Sequence, residues 1–145
     1  MFRGIKNFFK IKFAKYDNNL IRELQEEHKK LLNSFLEIEQ SLIEGYKHKP
    51  LFLLKFFKQE FLEHIKKEDN KLYPYLKKHT KNKDEIIKKE KEMEQILQTL
   101  EEELFSHDNT SKILENMKKL KEHLLKRIKE EETTLFKEYL KNYKI

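Results

Sequence analysis

The chain has 145 residues, enough for one domain that buries a core without disulfides or a structural metal. Two glycines, two prolines and 40% charged residues favour helix and leave little turn chemistry for a β-rich fold. The absence of cysteine excludes a disulfide framework, a thiolate zinc site and a cysteine nucleophile, so any metal must bind through nitrogen and oxygen. No apolar run approaches the roughly 20 residues of a membrane span, and no uncharged stretch near the N-terminus offers a signal-peptide core. A cytoplasmic protein is the expectation. The formal charge of +6 comes from 32 basic residues interleaved with 26 acidic ones, the pattern of a solvated helix surface rather than a nucleic-acid footprint.

Residues 1–17 form a basic, aromatic N-terminal arm, with Phe2, Ile5, Phe9 and Phe13 on one side and Arg3, Lys6 and Lys10 on the other. An arm folded over the bundle end and membrane-surface contact through residues 1–15 both suit this pattern, and the first is preferred. From Ile21 the apolar positions Ile21, Leu24, Leu31, Phe35, Ile38 and Leu42 follow alternating steps of three and four, with His28 filling the one gap. His28 is therefore expected on the buried seam of a long first helix, capped by Asp17 or Asn18 and ended by Gly45. The second helix is predicted from about Pro50 to Leu76. Its seam is Leu54, Phe57, Phe61, His64, Glu68 and Leu72, and Pro74 predicts a kink or an end at Tyr73. A third helix follows the polar segment His79 to Asp84 and aligns Ile86, Glu90, Met93, Leu97, Leu100 and Leu104. Beyond the capping residues of 106–110, the fourth aligns Ile113, Met117, Leu120, Leu124, Arg127, Glu131 and Leu135.

Each helix has one apolar face to bury and the linkers are short, which predicts an all-α, up-down-up-down antiparallel four-helix bundle over residues 18–145. Polar residues interrupt every seam, and burying an ionisable group alone costs several kcal/mol. They must therefore meet each other, a metal or water. His64 and Glu68, four apart, can converge on one ion; His28 can add an imidazole and Glu131 a carboxylate, a donor set suited to iron, manganese or zinc. The stretch Phe61 to Glu68 also echoes Leu124 to Glu131 residue for residue.

At these residues the chain resembles the hemerythrin-like family of cation-binding bundles. The likeness lies in Glu27-His28 with Leu31 and Leu32, in His64-Ile65-Lys66-Lys67-Glu68 continuing to Leu72-Tyr73-Pro74, and in Arg127 to Glu132 continuing to Leu135-Phe136. The resemblance implies a non-haem iron site bridged by Glu68 and Glu131, with His28 and His64 on one iron. The histidines implied for a second iron fall on Met93 and Arg127, a poor ligand for non-haem iron and a cation. One reading is that Arg127 forks onto Glu68 and Glu131 in place of that iron. Two outcomes stay open: a single iron held by His28, His64, Glu68 and Glu131, or no metal and a salt-bridged core.

Taken alone, His28 is more often a satisfied core histidine, and Glu131 lies in a run of three glutamates of the kind usually solvated. Glu90, among lysines, is expected at the surface, Met93 and Met117 in the core, and His48, His79, His107 and His123 exposed. With one ion the resemblance implies a sensor of oxygen (O2), nitric oxide (NO) or redox state, or a role in iron handling. With none it implies a protein-binding regulator similar to bacterial regulators of the sigma-D type. No nucleophile triad or phosphate loop points to an enzyme, and no nucleic-acid partner is expected.

Overall fold

The first seam becomes helix α1, Leu20–Ile43, in a computed structural model that describes residues 11–12, 14–103 and 110–141. The expectations for Phe2 to Phe13 of the arm, for Leu97, Leu100 and Leu104 on the third seam, and for His107 lie outside the residues and side chains described. Just before α1, the Asp17 carboxylate accepts the Asn19 N–H at 2.9 Å. At the other end, Tyr46 N–H reaches Ser41 O and Gly45 N–H reaches Leu42 O, each at 3.1 Å. This pair of bonds closes the orphaned carbonyls and requires the left-handed backbone that Gly45 adopts at φ 83°.

Helix α2, Lys49–Lys67, starts with Pro50 in its first turn, where the missing N–H is harmless. It runs into a π turn, Glu68–Leu72, and then into α3, Tyr73–His79. The second rod thus continues beyond Pro74 to His79, and the irregularity expected from the proline takes the form of the π turn. Proline is not its general cause, because α5, Thr110–Glu130, passes through an equivalent π turn, Glu131–Leu135, into α6, Phe136–Leu140, without one. Both seams change step at the glutamate. Up to Glu68 and Glu131 the steps alternate between three and four; beyond them Leu72 and Leu76, and Leu135 and Tyr139, follow at steps of four. Successive fours drift by about 40° each on a regular α-helix, and a wider turn absorbs the drift.

With α4, Lys83–Glu103, four rods result, and the described residues contain no strand. The first rod packs on the second and fourth, and the third also packs on the second and fourth, the closed circuit of an up-down bundle. Two apolar clusters fill its interior. One includes Leu31, Phe35, Phe57, Phe61, Met93, Met117 and Leu124; the other includes Leu20, Leu24, Leu72, Tyr73, Ile86, Leu135 and Tyr139. His28, His64, Glu68, Arg127 and Glu131, all buried, lie between them in sequence on every seam but that of α4.

The end of the arm is tied to the second cluster. Ala14 and Tyr16 pack against it, Tyr16 stacks on Tyr139 at 4.9 Å, and the Asp17 N–H donates to Tyr139 Oη at 2.7 Å. Among the described residues no helix is long and apolar enough to cross a membrane.

Candidate metal centre

His28 comes from the middle of α1, His64 from the last turn of α2, and Glu68 and Glu131 each open a π turn. Each wide turn is closed by a bond to the glutamate's own carbonyl, from Tyr73 N–H to Glu68 O and from Phe136 N–H to Glu131 O. Such turns within α-helices frequently fall at functional sites.

The two imidazoles face each other through Nε2, 3.2 Å apart. His28 Nε2 is 3.1 Å from Glu131 Oε2, and His64 Nε2 is 3.1 Å from Glu68 Oε1. One ligand atom each from His28, His64 and Glu131 falls within 4.8 Å of the others. Glu68 joins the group through His64. All four residues expected at the site are therefore together, and none is more than 2% exposed.

The outer nitrogens are held as firmly. His64 Nδ1 lies 2.9 Å from Glu27 Oε1, and His28 Nδ1 lies 3.2 Å from Glu132 Oε1. A carboxylate can only accept, so each Nδ1 carries a proton, and each facing Nε2 becomes a ligand once any proton it shares with Glu131 or Glu68 is displaced. Phe136 stacks on His28 at 5.5 Å with the rings 10° apart, which fixes its rotation. Glu27 is itself held by Lys67, whose ammonium also lies 3.4 Å from Glu23.

Burial lowers the proton affinity of His64, but the charge of Glu68 and the hydrogen bond to Glu27 outweigh it and push the pKa up to about 10. Burial and the neighbouring Glu131 charge push Glu68 well above the usual carboxylate range. Glu131 goes the other way, because the bond from His28 overcomes its own burial. Without a metal, a proton on His64 thus offsets the charge of the buried glutamates. Oε2 of Glu68 and Oε1 of Glu131 are buried without any hydrogen bond in the protein, and Glu68 Oε1 faces His64 Nε2. Converging imidazole acceptors with unbonded buried carboxylate oxygens fit a cation.

Arg127 departs from expectation. It is buried, but its Nη1 pairs with Glu92 on α4 and, at 2.5 Å, with Glu130, and it forms no ion pair with Glu68 or Glu131. Its long side chain reaches past the seam to two partly exposed carboxylates that keep their charge more cheaply than the fully buried pair. Glu90 also differs from the surface position expected: it is largely buried and bound to Lys77 at 2.7 Å. Met93 and Met117 are core residues, His48 and His123 are exposed, and His79 is half-buried beside Tyr75 at 4.5 Å.

Glu27 and Glu132 escaped the sequence reasoning because they lie off the seams. The available signal was adjacency: each neighbours a seam ligand in sequence, and a ligating histidine needs an acceptor for its second nitrogen. The model of the hemerythrin HHE cation-binding domain matches residues 19–139, nearly all of the bundle. No curated protein and no solved structure matches the chain. With cation-type donors on three rods and that match along its length, the chain belongs to the hemerythrin HHE cation-binding domain family.

Proposed function

We propose that the chain binds a single metal ion, iron by family resemblance, through His28, His64, Glu68 and Glu131, and that it serves in sensing oxygen, nitric oxide or redox state or in handling iron. The observation that carries this reading is the 3.2 Å approach of two Nε2 atoms whose Nδ1 partners are carboxylates. Two lone pairs so placed repel unless a proton or a metal ion sits with them. Bound iron would supply reversible electron or ligand chemistry. The chain's own residues orient the donors through Glu27 and Glu132, and Glu68 and Glu131 offset the charge. The apolar clusters on either side limit the access of water. Metal content of protein purified without chelator tests this. About one iron per chain, lost in His64→Ala, is expected; substoichiometric metal unchanged by that variant would sink the reading.

A metal-free regulator that binds another protein is the second reading. It is favoured by the exposed apolar residues of the end of α1, the first inter-helix turn and α2, where Phe52 and Phe56 meet edge to face at 5.0 Å and Ile43, Tyr46 and Leu51 are also exposed.

A further inference from the structure

Acidic and basic residues interleave along most of the chain, but residues 45–59 hold Lys47, Lys49, Lys55 and Lys58 and no acid. Another such run, residues 70–83, buries its apolar side chains Leu72, Tyr73, Tyr75 and Leu76. The run that opens α2 displays its rings instead. At about 100° per residue, Phe52 and Phe56 fall on the face of α2 opposite the core residues Leu54 and Phe57, and they are 62% and 52% exposed. They lean on each other and on nothing else that would bury them. Lys49 and Lys55, both exposed, flank them on the same side of the helix. In the turn before α2, Tyr46 is half-exposed and carries the Lys49 ammonium 4.9 Å above its ring.

Charge and shape decide what covers this face. A symmetric dimer presents the same patch twice and would bring two acid-free groups of lysines together. A helical partner needs a groove to lie in, and the outer face of a single rod is a ridge from which the rings project. A fluid anionic surface moulds around projecting rings and takes lysine among its headgroups at the same time. As apolar surface alone these residues favour a protein partner; the lysines change the choice.

We propose that the outer face of α2 docks on an anionic lipid surface. Phe52 and Phe56 enter the boundary between headgroups and acyl chains, and the ammonium groups of Lys49 and Lys55 pair with lipid phosphates while their methylene stems lie along the rings. Neither element supports firm attachment alone: two rings bury too little apolar area, and lysines in contact with water are screened by salt. The inference is independent of the metal reading, because none of these residues belongs to the polar layer.

The test sediments the full chain with phosphatidylcholine vesicles and with vesicles that also contain phosphatidylglycerol. Binding to the anionic vesicles that weakens as salt rises is expected, with little on phosphatidylcholine alone. Phe52→Ser and Phe56→Ser should each weaken it by about tenfold, and Lys49→Gln and Lys55→Gln by about fivefold each, with the helical circular dichroism unchanged. Should the serine variants fail to fold, Phe52→Trp decides. The sequence has no tryptophan of its own, so the emission of that variant reports position 52 alone and should shift to the blue as anionic vesicles are added. Absence of vesicle binding overturns the proposal and leaves the protein partner of the second reading. Vesicle binding that neither shifts the Phe52→Trp emission nor responds to the serine variants overturns it too, and assigns the contact to residues 1–15. A wild-type dimer that ignores vesicles and is dispersed by Phe52→Ser gives the face to a second copy.

Discussion

Glu27 Oε1 accepts the Nδ1 proton of His64 at 2.9 Å, so a residue of the first rod sets the aim of a proposed ligand on the second. His28, the next residue in the chain, is oriented in turn by Glu132 on the fourth rod. Each histidine is thus held by a carboxylate from a rod that carries another proposed ligand.

Glu27→Gln should therefore weaken metal binding without unfolding the bundle. The amide still accepts a hydrogen bond but lacks the charge that strengthens the imidazole as a donor, and losses at such outer positions run to about 10–100-fold in affinity. Calorimetric titration of chelator-treated protein measures it. Glu132 is more exposed than Glu27, and Glu132→Gln should cost less. Equal affinity for wild type and Glu27→Gln would refute the orienting role.

The metal-free protein should be most stable in weak acid. Burial raises the pKa of Glu27, but hydrogen bonds from His64 and Lys67 outweigh it and bring it from the ordinary 4.5 to about 2. That contribution is present above pH 4.5 and is lost as pH falls through about 2. His64 is raised from 6.5 to about 10, so its contribution is complete below pH 6.5 and is lost as pH rises through about 10. The thermal midpoint with chelator present should peak between pH 4.5 and 6.5. Because the metal must displace the His64 proton, metal affinity should rise over the range in which metal-free stability falls. A metal-free midpoint that climbs between neutrality and pH 9 contradicts this account.

Glu68→Gln should lose metal and gain metal-free stability. Glu68 is fully buried, its Oε2 makes no hydrogen bond, its Oε1 lies 3.1 Å from His64 Nε2, whose proton a glutamine oxygen could still accept, and Glu131 opposes its ionisation. Replacing the acid by a neutral group of the same shape removes that repulsion, worth about 1 kcal/mol in denaturant unfolding at neutral pH. A large destabilisation would mean that the charge pairing with His64 outweighs the repulsion from Glu131.

Gly45→Ala should cost about 1 kcal/mol through backbone conformation alone. The glycine sits at φ 83°, and an added Cβ would meet nothing within 4 Å, so steric crowding contributes no part of the loss. Denaturant midpoints with an unchanged slope would show it. No change would mean that the turn relaxes to another geometry.

Much of this architecture was readable from spacing. The steps of three and four placed Leu24, His28, Leu31 and Phe35 on one face, and the same rule brought His64, Glu68 and Glu131 inside, where all are buried. What spacing could not supply was the direction of a long side chain. Arg127 starts on its seam as expected, but its guanidinium ends at Glu92 and Glu130, because three methylenes carry the charge well beyond its own Cβ. Glu27 and Glu132 were hidden for the opposite reason, being off-seam residues whose side chains turn back inward. The π turns were encoded in the runs of fours after each glutamate, a signal that becomes legible once the drift of a regular helix is set against it.

Those two turns also make chain length a coordinate of the centre. A residue removed between Glu68 and Leu72 rotates everything after it by about 100° relative to the glutamate. Leu72, Tyr73 and Leu76 would then leave the core if Glu68 stayed, or Glu68 would leave the layer if they stayed. The same holds for Glu131 against Leu135, Phe136 and Tyr139. A one-residue indel at either place, with every donor still present in the sequence, would therefore dismantle the proposed centre as surely as replacing one of the residues proposed to hold the metal.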